Sequence, residues 1–129
     1  MKKKFLSILF SICTIVIIGC ISASAETYGD FEYEVNSDNT ITITDYTGSA
    51  SNLTIPSKID GKKVTVIGGE AFYECSSLTS VEIPDSVTTV DDYAFMDNGL
   101  EKVHIGDGVT SIGISSFAAN PIKQLTLGN

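Results

Sequence analysis

Arginine and tryptophan are missing altogether, histidine occurs once, and eight lysines face sixteen Asp and Glu, so the 129-residue chain carries a formal charge of −8. Nucleic-acid binding draws most of its affinity from cationic side chains against phosphate, and a chain this acidic lacks that contribution. Anionic membrane surfaces are disfavoured on the same ground. Cysteine is nearly as scarce. Cys13 and Cys20 fall in the N-terminal apolar stretch, which leaves Cys75 alone in the rest of the chain. No intramolecular disulfide can then staple the fold, so stability must come from one continuous apolar core, and the remaining thiol is expected to be buried and inert. The longest apolar stretch also falls short of the roughly 20 residues that cross a bilayer.

What the N-terminus does have is a leader pattern. Met1-Lys2-Lys3-Lys4 makes a cationic start, Phe5 to Ile18 holds only apolar residues and small Ser, Thr or Cys, and Ala23-Ser24-Ala25 fits the small-x-small rule of signal peptidase. Residues 1–25 are therefore expected to be a signal peptide cleaved after Ala25. A second route stays open, because Ile17-Ile18-Gly19-Cys20 is similar to the lipobox of bacterial lipoproteins, whose cysteine is lipid-modified. Either route exports the chain, to the medium or to the cell surface, and only lipid at Cys20 would tether it to a membrane. Removal of residues 1–25 leaves five lysines against sixteen acids, a net charge of 5 − 16 = −11.

Beyond the leader the chain repeats itself. Leu78, Val81, Ile83, Val87 and Val90 return 22 residues later as Leu100, Val103, Ile105, Val109 and Ile112, and the same step leads on to Ile122, Leu125 and Leu127. An earlier copy runs from Leu53 and Ile55 through Val64, Val66 and Ile67 to Ala71-Phe72, with a polar turn inserted at Asp60-Gly61-Lys62-Lys63. Phe72, Phe95 and Phe117 recur at steps of 23 and 22. A fixed period in this range predicts a solenoid. Within a copy, apolar and polar residues alternate as in a half-buried strand, a second short extended piece follows, and a segment too short for more than a helical turn ends in the Phe. About three copies are expected over 51–129, the last incomplete, sharing one core because no copy can bury its apolar face alone. Ahead of them, Phe31-Glu-Tyr33-Glu-Val35 and Thr40-Ile41-Thr-Ile43-Thr around Asn36-Ser-Asp-Asn39 read as a hairpin, so residues 26–50 are expected to cap the first coil. The C-terminal end shows no comparable cap.

The unit Ile83-Pro84-Asp85-Ser86-Val87-Thr88-Thr89-Val90-Asp91-Asp92-Tyr93-Ala94-Phe95, preceded by Ala71-Phe72-Tyr73-Glu74-Cys75-Ser76-Ser77-Leu78-Thr79-Ser80-Val81, resembles the BspA-type leucine-rich repeat. Met96-Asp97-Asn98-Gly99 and Ala118-Ala119-Asn120-Pro121 depart from that pattern, each being one residue shorter and lacking the cysteine. The resemblance implies a mainly β leucine-rich-repeat coil on an exported bacterial protein, with adhesion to an extracellular protein or glycan as its role. It supplies no catalytic residues, and it leaves open that the chain is the N-terminal part of, or a spacer within, a longer surface protein or enzyme continuing past Asn129.

Outward positions of successive repeat strands should form a ladder of Thr54, Glu82, His104 and Thr126, with Ser80, Lys102 and Gln124 beside it, and this is the candidate binding face. Its bland alternative is a merely solvated sheet, and the scarcity of Trp, Tyr and Arg there speaks against strong anchors. Tyr28, Tyr33, Tyr46, Tyr73 and Tyr93 are expected to pack against turns or the cap. A metal or catalytic site would have to join His104 to Cys75 or a carboxylate, and nothing in the spacing brings them together. Neither Asp91-Asp92 nor Asp38-Asn39 has calcium-loop spacing, so both read as solubilising charge. No enzyme activity, metal or cofactor is therefore expected.

Overall fold

The computed structural model describes residues 25–128. The leader expected over residues 1–25, with Cys13 and Cys20, lies outside them except for Ala25. Eleven strands and no helix occur among the described residues: β1 (Glu26–Tyr28), β2 (Phe31–Val35), β3 (Ile41–Tyr46), β4 (Asn52–Thr54), β5 (Lys58–Ile59), β6 (Lys62–Ile67), β7 (Ser80–Ile83), β8 (Thr89–Val90), β9 (Lys102–Ile105), β10 (Ser111–Ile112) and β11 (Gln124–Leu127).

The chain winds through four turns of a coil, and each turn gives one strand to each of two parallel ladders. One ladder runs β3-β6-β8-β10 and the other β4-β7-β9-β11. Val81 and Ile83 point into the core while Glu82 between them faces out, and Val103 and Ile105 do the same around His104. The register is in step with the 22-residue repeat, since Val81 lies opposite Val103 and Ile83 opposite Ile105. The expected hairpin is present as β2-β3, with β1 added on its outer edge. Strand β3 is at once the second arm of that hairpin and the first rung of a parallel ladder, so cap and repeat share one strand. The hairpin turn is closed by Asp38, whose carboxylate accepts from the Thr40 amide and hydroxyl at 3.0 and 2.6 Å, bonds that hold its pKa below the ordinary carboxylate value. The insertion in the first copy is a second hairpin, β5-β6, turned by Asp60-Gly61 with φ of 49° and 76°, as a two-residue turn between twisted strands requires.

A column of aromatic rings runs through the stack. Phe72 and Phe95 lie 4.7 Å apart and 10° from parallel, and Phe95 and Phe117 lie 5.2 Å apart and 6° from parallel. Tyr46 takes the equivalent place in the first turn, 5.3 Å from Phe72, and Phe31 closes the column at 5.2 Å from Tyr46. The segment before each Phe is a tight turn, with left-handed residues on both sides of it: Glu70 and Glu74, Tyr93 and Asp97, Ser115 and Ala119. Such a conformation costs a non-glycine residue about 1–2 kcal/mol. It is held by bonds between turns, among them Phe72 N–H to Ala94 O at 2.8 Å and Phe95 N–H to Ser116 O at 2.7 Å.

Beneath the rings lies a column of asparagines. Asn98 and Asn120 occupy the place that Cys75 has in the preceding turn, three residues after the Phe. The Asn98 amide is buried and donates to the carbonyls of Phe72 and Phe95 at 2.7 and 3.0 Å. Asn120 repeats this one turn on, donating to Phe95 and Phe117 at 2.8 and 3.0 Å, while its carbonyl accepts from Leu100 N–H at 3.1 Å. The matching acceptor, Asn98 Oδ1, has no partner. The loop after Phe72 is one residue longer, and its Leu78 amide bonds internally to Cys75 O instead.

Three expectations are corrected. Cys75 is half-buried rather than buried, its sulfur 3.9 Å from Tyr73 O. Tyr28 and Tyr93 are exposed, because β1 is an edge strand and Tyr93 sits at a left-handed turn tip, whereas Tyr33 and Tyr46 are buried in the cap. The acidic pairs also do more than solubilise: Asp92 Oδ1 accepts from the Ile114 amide of the next turn at 2.7 Å, and Asp38 closes its hairpin turn.

Phe95→Ala should lower stability to chemical denaturation by about 3–5 kcal/mol, and Phe117→Ala, in the last and half-covered layer, by clearly less. The Tyr33 hydroxyl lies 2.7 Å from Asp60 Oδ2 and 2.8 Å from Glu26 Oε2. The Asp60 bond above all, then the Glu26 bond and burial, raise its pKa well above the ordinary 10. A raised folded-state pKa stabilises below the unfolded value, so that contribution is present below pH 10 and declines as pH rises beyond it. Alkaline titration of stability should show this decline, and Tyr33→Phe should flatten it.

Candidate functional site

Parallel pairing in the β4-β7-β9-β11 ladder brings outward side chains from all four turns into straight rows. Thr54 lies opposite Glu82, Glu82 opposite His104, and His104 opposite Thr126. A second row sets Ser80 opposite Lys102 and Lys102 opposite Gln124. Neighbours within a row are separated by the interstrand spacing of about 4.8 Å, close enough for polar contact. Thr54 Oγ1 lies 3.3 Å from Glu82 Oε2, a weak hydrogen bond along the row. All seven expected ladder residues therefore share one face. Thr54, Glu82, Lys102, Gln124 and Thr126 are exposed, and Ser80 and His104 are partly covered.

Asn52 was not expected there, yet it heads the second row, opposite Ser80. The 22-residue step cannot find it. The insertion at Asp60-Gly61 stretches the first spacing to 28 residues, and the signal is that Thr54 to Glu82 and Asn52 to Ser80 share that longer step.

The centre of the face is a shallow hollow of about 220 Å³ lined by Ser80, Glu82, Lys102, His104, Gln124 and Thr126, together with Val81 and Val103. One carboxylate, one ammonium, one imidazole and several hydroxyl and amide groups point into it from rigid strands. Such a surface offers hydrogen bonds of both polarities and little apolar area, which suits a hydroxylated or peptide-like polar ligand over an apolar one. Among the described residues no group of three or more His, Cys, Asp and Glu is placed to hold a metal ion, and no helix is long and apolar enough to cross a membrane.

A model of the BspA-type leucine-rich repeat region, described as six copies, matches residues 41–129 and so begins at the first residue of β3. No curated protein matches the sequence significantly. Solved structures share the fold. A leucine-rich repeat protein from Bacteroides capillosus superposes with a TM-score of 0.58 at 22% identity, over 82% of this chain and 99% of that one. The leucine-rich repeat protein of T. pallidum gives 0.53 at 22% identity, over 79% and 71%. The pneumococcal vaccine antigen PcpA gives 0.57 at 17% identity, over 83% of this chain but only 38% of PcpA.

Proposed function

The chain belongs to the BspA-type leucine-rich repeat family, and from that premise we propose that it is a non-catalytic recognition module, secreted or displayed at the cell surface, that binds an extracellular protein or glycan through the ladder face. One observation carries this reading: six polar side chains from three turns of the coil stand in register around one hollow on a parallel sheet, and Thr54 extends their row into a fourth turn. Their positions are set by the core beneath, so they can change without cost to folding, which is how repeat scaffolds come to carry specific surfaces. The leader pattern of residues 1–25 supports function outside the cell. Several weak polar contacts spread along a sheet suit an extended partner better than a small molecule, because no deep pocket is present on this face to enclose one.

The test is binding of the purified protein to a panel of immobilised matrix proteins and glycans. Glu82→Ala combined with His104→Ala should weaken binding at least about tenfold, or 1.4 kcal/mol. Thermal stability should be unchanged, because the two residues face away from the core. Undiminished binding by this variant would remove the ladder from the account.

A further inference from the structure

Positive charge is gathered at one place. Five lysines lie beyond residue 25, and Lys58, Lys62 and Lys63 fall together on the β5-β6 hairpin. Residues 57–64 therefore carry 3 − 1 = +2, while the rest of 26–129 carries 2 − 15 = −13. The coil does not call for this hairpin. Ile55 and Val64 match Ile83 and Val87 of the next turn, yet they stand nine positions apart against four. Ser57 O accepts from Val64 N–H at 3.0 Å, so residues 58–63 leave the coil and return to it at one point. Within them, Lys58 and Lys63 are exposed and directly opposite in antiparallel register, and Ile59 and Lys62 form the next pair. Ile59 is 1% exposed; its side faces the core and anchors the hairpin, which leaves Lys58 and Lys63 together on the outer side. Cβ atoms so placed are about 5 Å apart, and like charges there destabilise the pair. Nothing in the chain offsets this repulsion: none of the three ammonium groups has an ion pair or hydrogen bond among the described residues, in contrast to Lys123 with Glu101. Asp60, the hairpin's own acid, is turned to the cap, its Oδ2 2.7 Å from the Tyr33 hydroxyl. Guarding a free edge would account for Lys58 on β5, but Lys63 belongs to β6, which pairs with β3, β5 and β8.

We propose that the outer side of the β5-β6 hairpin is a second binding site, separate from the strand face, for the sulfate esters or phosphodiesters of an acidic polysaccharide. Two ammonium groups this close can both contact one tetrahedral oxyanion by charge-assisted hydrogen bonds, and the bound anion relieves the repulsion between them. A polymer adds to this by presenting its next anion whenever one is released. The partner is a single flexible chain because the rest of the surface is acidic. A bilayer or a nucleic-acid duplex would bring further negative charge against that surface. A thin chain that reaches only the hairpin meets little of this repulsion, since exposed charges more than about 8 Å away are largely screened at physiological ionic strength.

Binding of the purified protein to immobilised dextran sulfate, polyglycerol phosphate and uncharged dextran, at about 50 and 200 mM salt, tests the site. Retention on an anionic polymer that falls with salt is expected, with none on dextran, and the polymer that holds the protein identifies the ester. Lys58→Gln combined with Lys63→Gln should weaken this binding at least about tenfold, whereas Lys123→Gln, a charge lost elsewhere, should leave it unchanged. Folding gives a second readout. Removing one of the two facing ammonium groups, as in Lys58→Gln, should raise the melting temperature at low salt. No retention of the parent protein on either anionic polymer overturns the proposal, as does undiminished retention of the double variant or an equal loss in Lys123→Gln. A lowered melting temperature of Lys58→Gln also overturns it, because the lysine would then be a structural partner.

Discussion

Everything in this molecule depends on one column of contacts running down the axis of the coil: Phe72, Phe95 and Phe117 stacked on one another, continued by the tilted rings of Tyr46 and Phe31, and underlain by the asparagine bonds at 98 and 120. The rings bring apolar area, and the three Phe rings add the near-parallel geometry of stacked aromatic pairs, worth about 0.5–1.5 kcal/mol per pair beyond burial. The asparagines satisfy carbonyls that the tight left-handed turns would otherwise leave buried and unpaired. Because each turn contacts only its neighbours, the column also sets the register between turns. A one-residue slip in any strand would bring Glu82 or His104 to the core and Val81 or Val103 to solvent.

That dependence explains which features could be read from the residues alone. The 22-residue recurrence of Val81-Glu82-Ile83 as Val103-His104-Ile105 and Leu125-Thr126-Leu127 is the register itself written in the chain, so strand positions, core face and ladder rows follow from it. The Phe recurrence likewise marks the ring column. Tyr46 escaped notice as its first ring because it lacks the preceding alanine and lies in a hairpin strand, where alternation rather than the repeat dominates. Asn98 and Asn120 looked like a shortened turn that had lost its cysteine. Their role depends on where the carbonyls of Phe72 and Phe95 point, and a one-dimensional pattern holds no information about that. The exposure of Tyr28 and Tyr93 escaped for a similar reason, since edge position and a left-handed φ are properties of the assembled turn.

The two ends of the stack are solved differently. At the N-terminal end β3 pairs antiparallel with β2 and parallel with β6, so a charged hairpin closes the first ladder without a break in hydrogen bonding. In the last described turn the ladder positions are held by Ile112, Leu125 and Leu127, which are exposed. The scaffold thus separates its side chains by direction: apolar core toward the axis, rows of polar groups on the strand face.

The column is the claim on which the rest stands, and Asn98 tests it most directly, because this side chain ties two turns together without supplying apolar area. Replacing it with alanine leaves the carbonyl of Phe72 without its side-chain donor in a buried site, a loss of about 1–3 kcal/mol. Urea unfolding of Asn98→Ala should therefore show a lowered midpoint with an unchanged slope, while Asn52→Ala, on the exposed first strand, leaves the midpoint in place. Equal midpoints for Asn98→Ala and the parent protein would contradict the account.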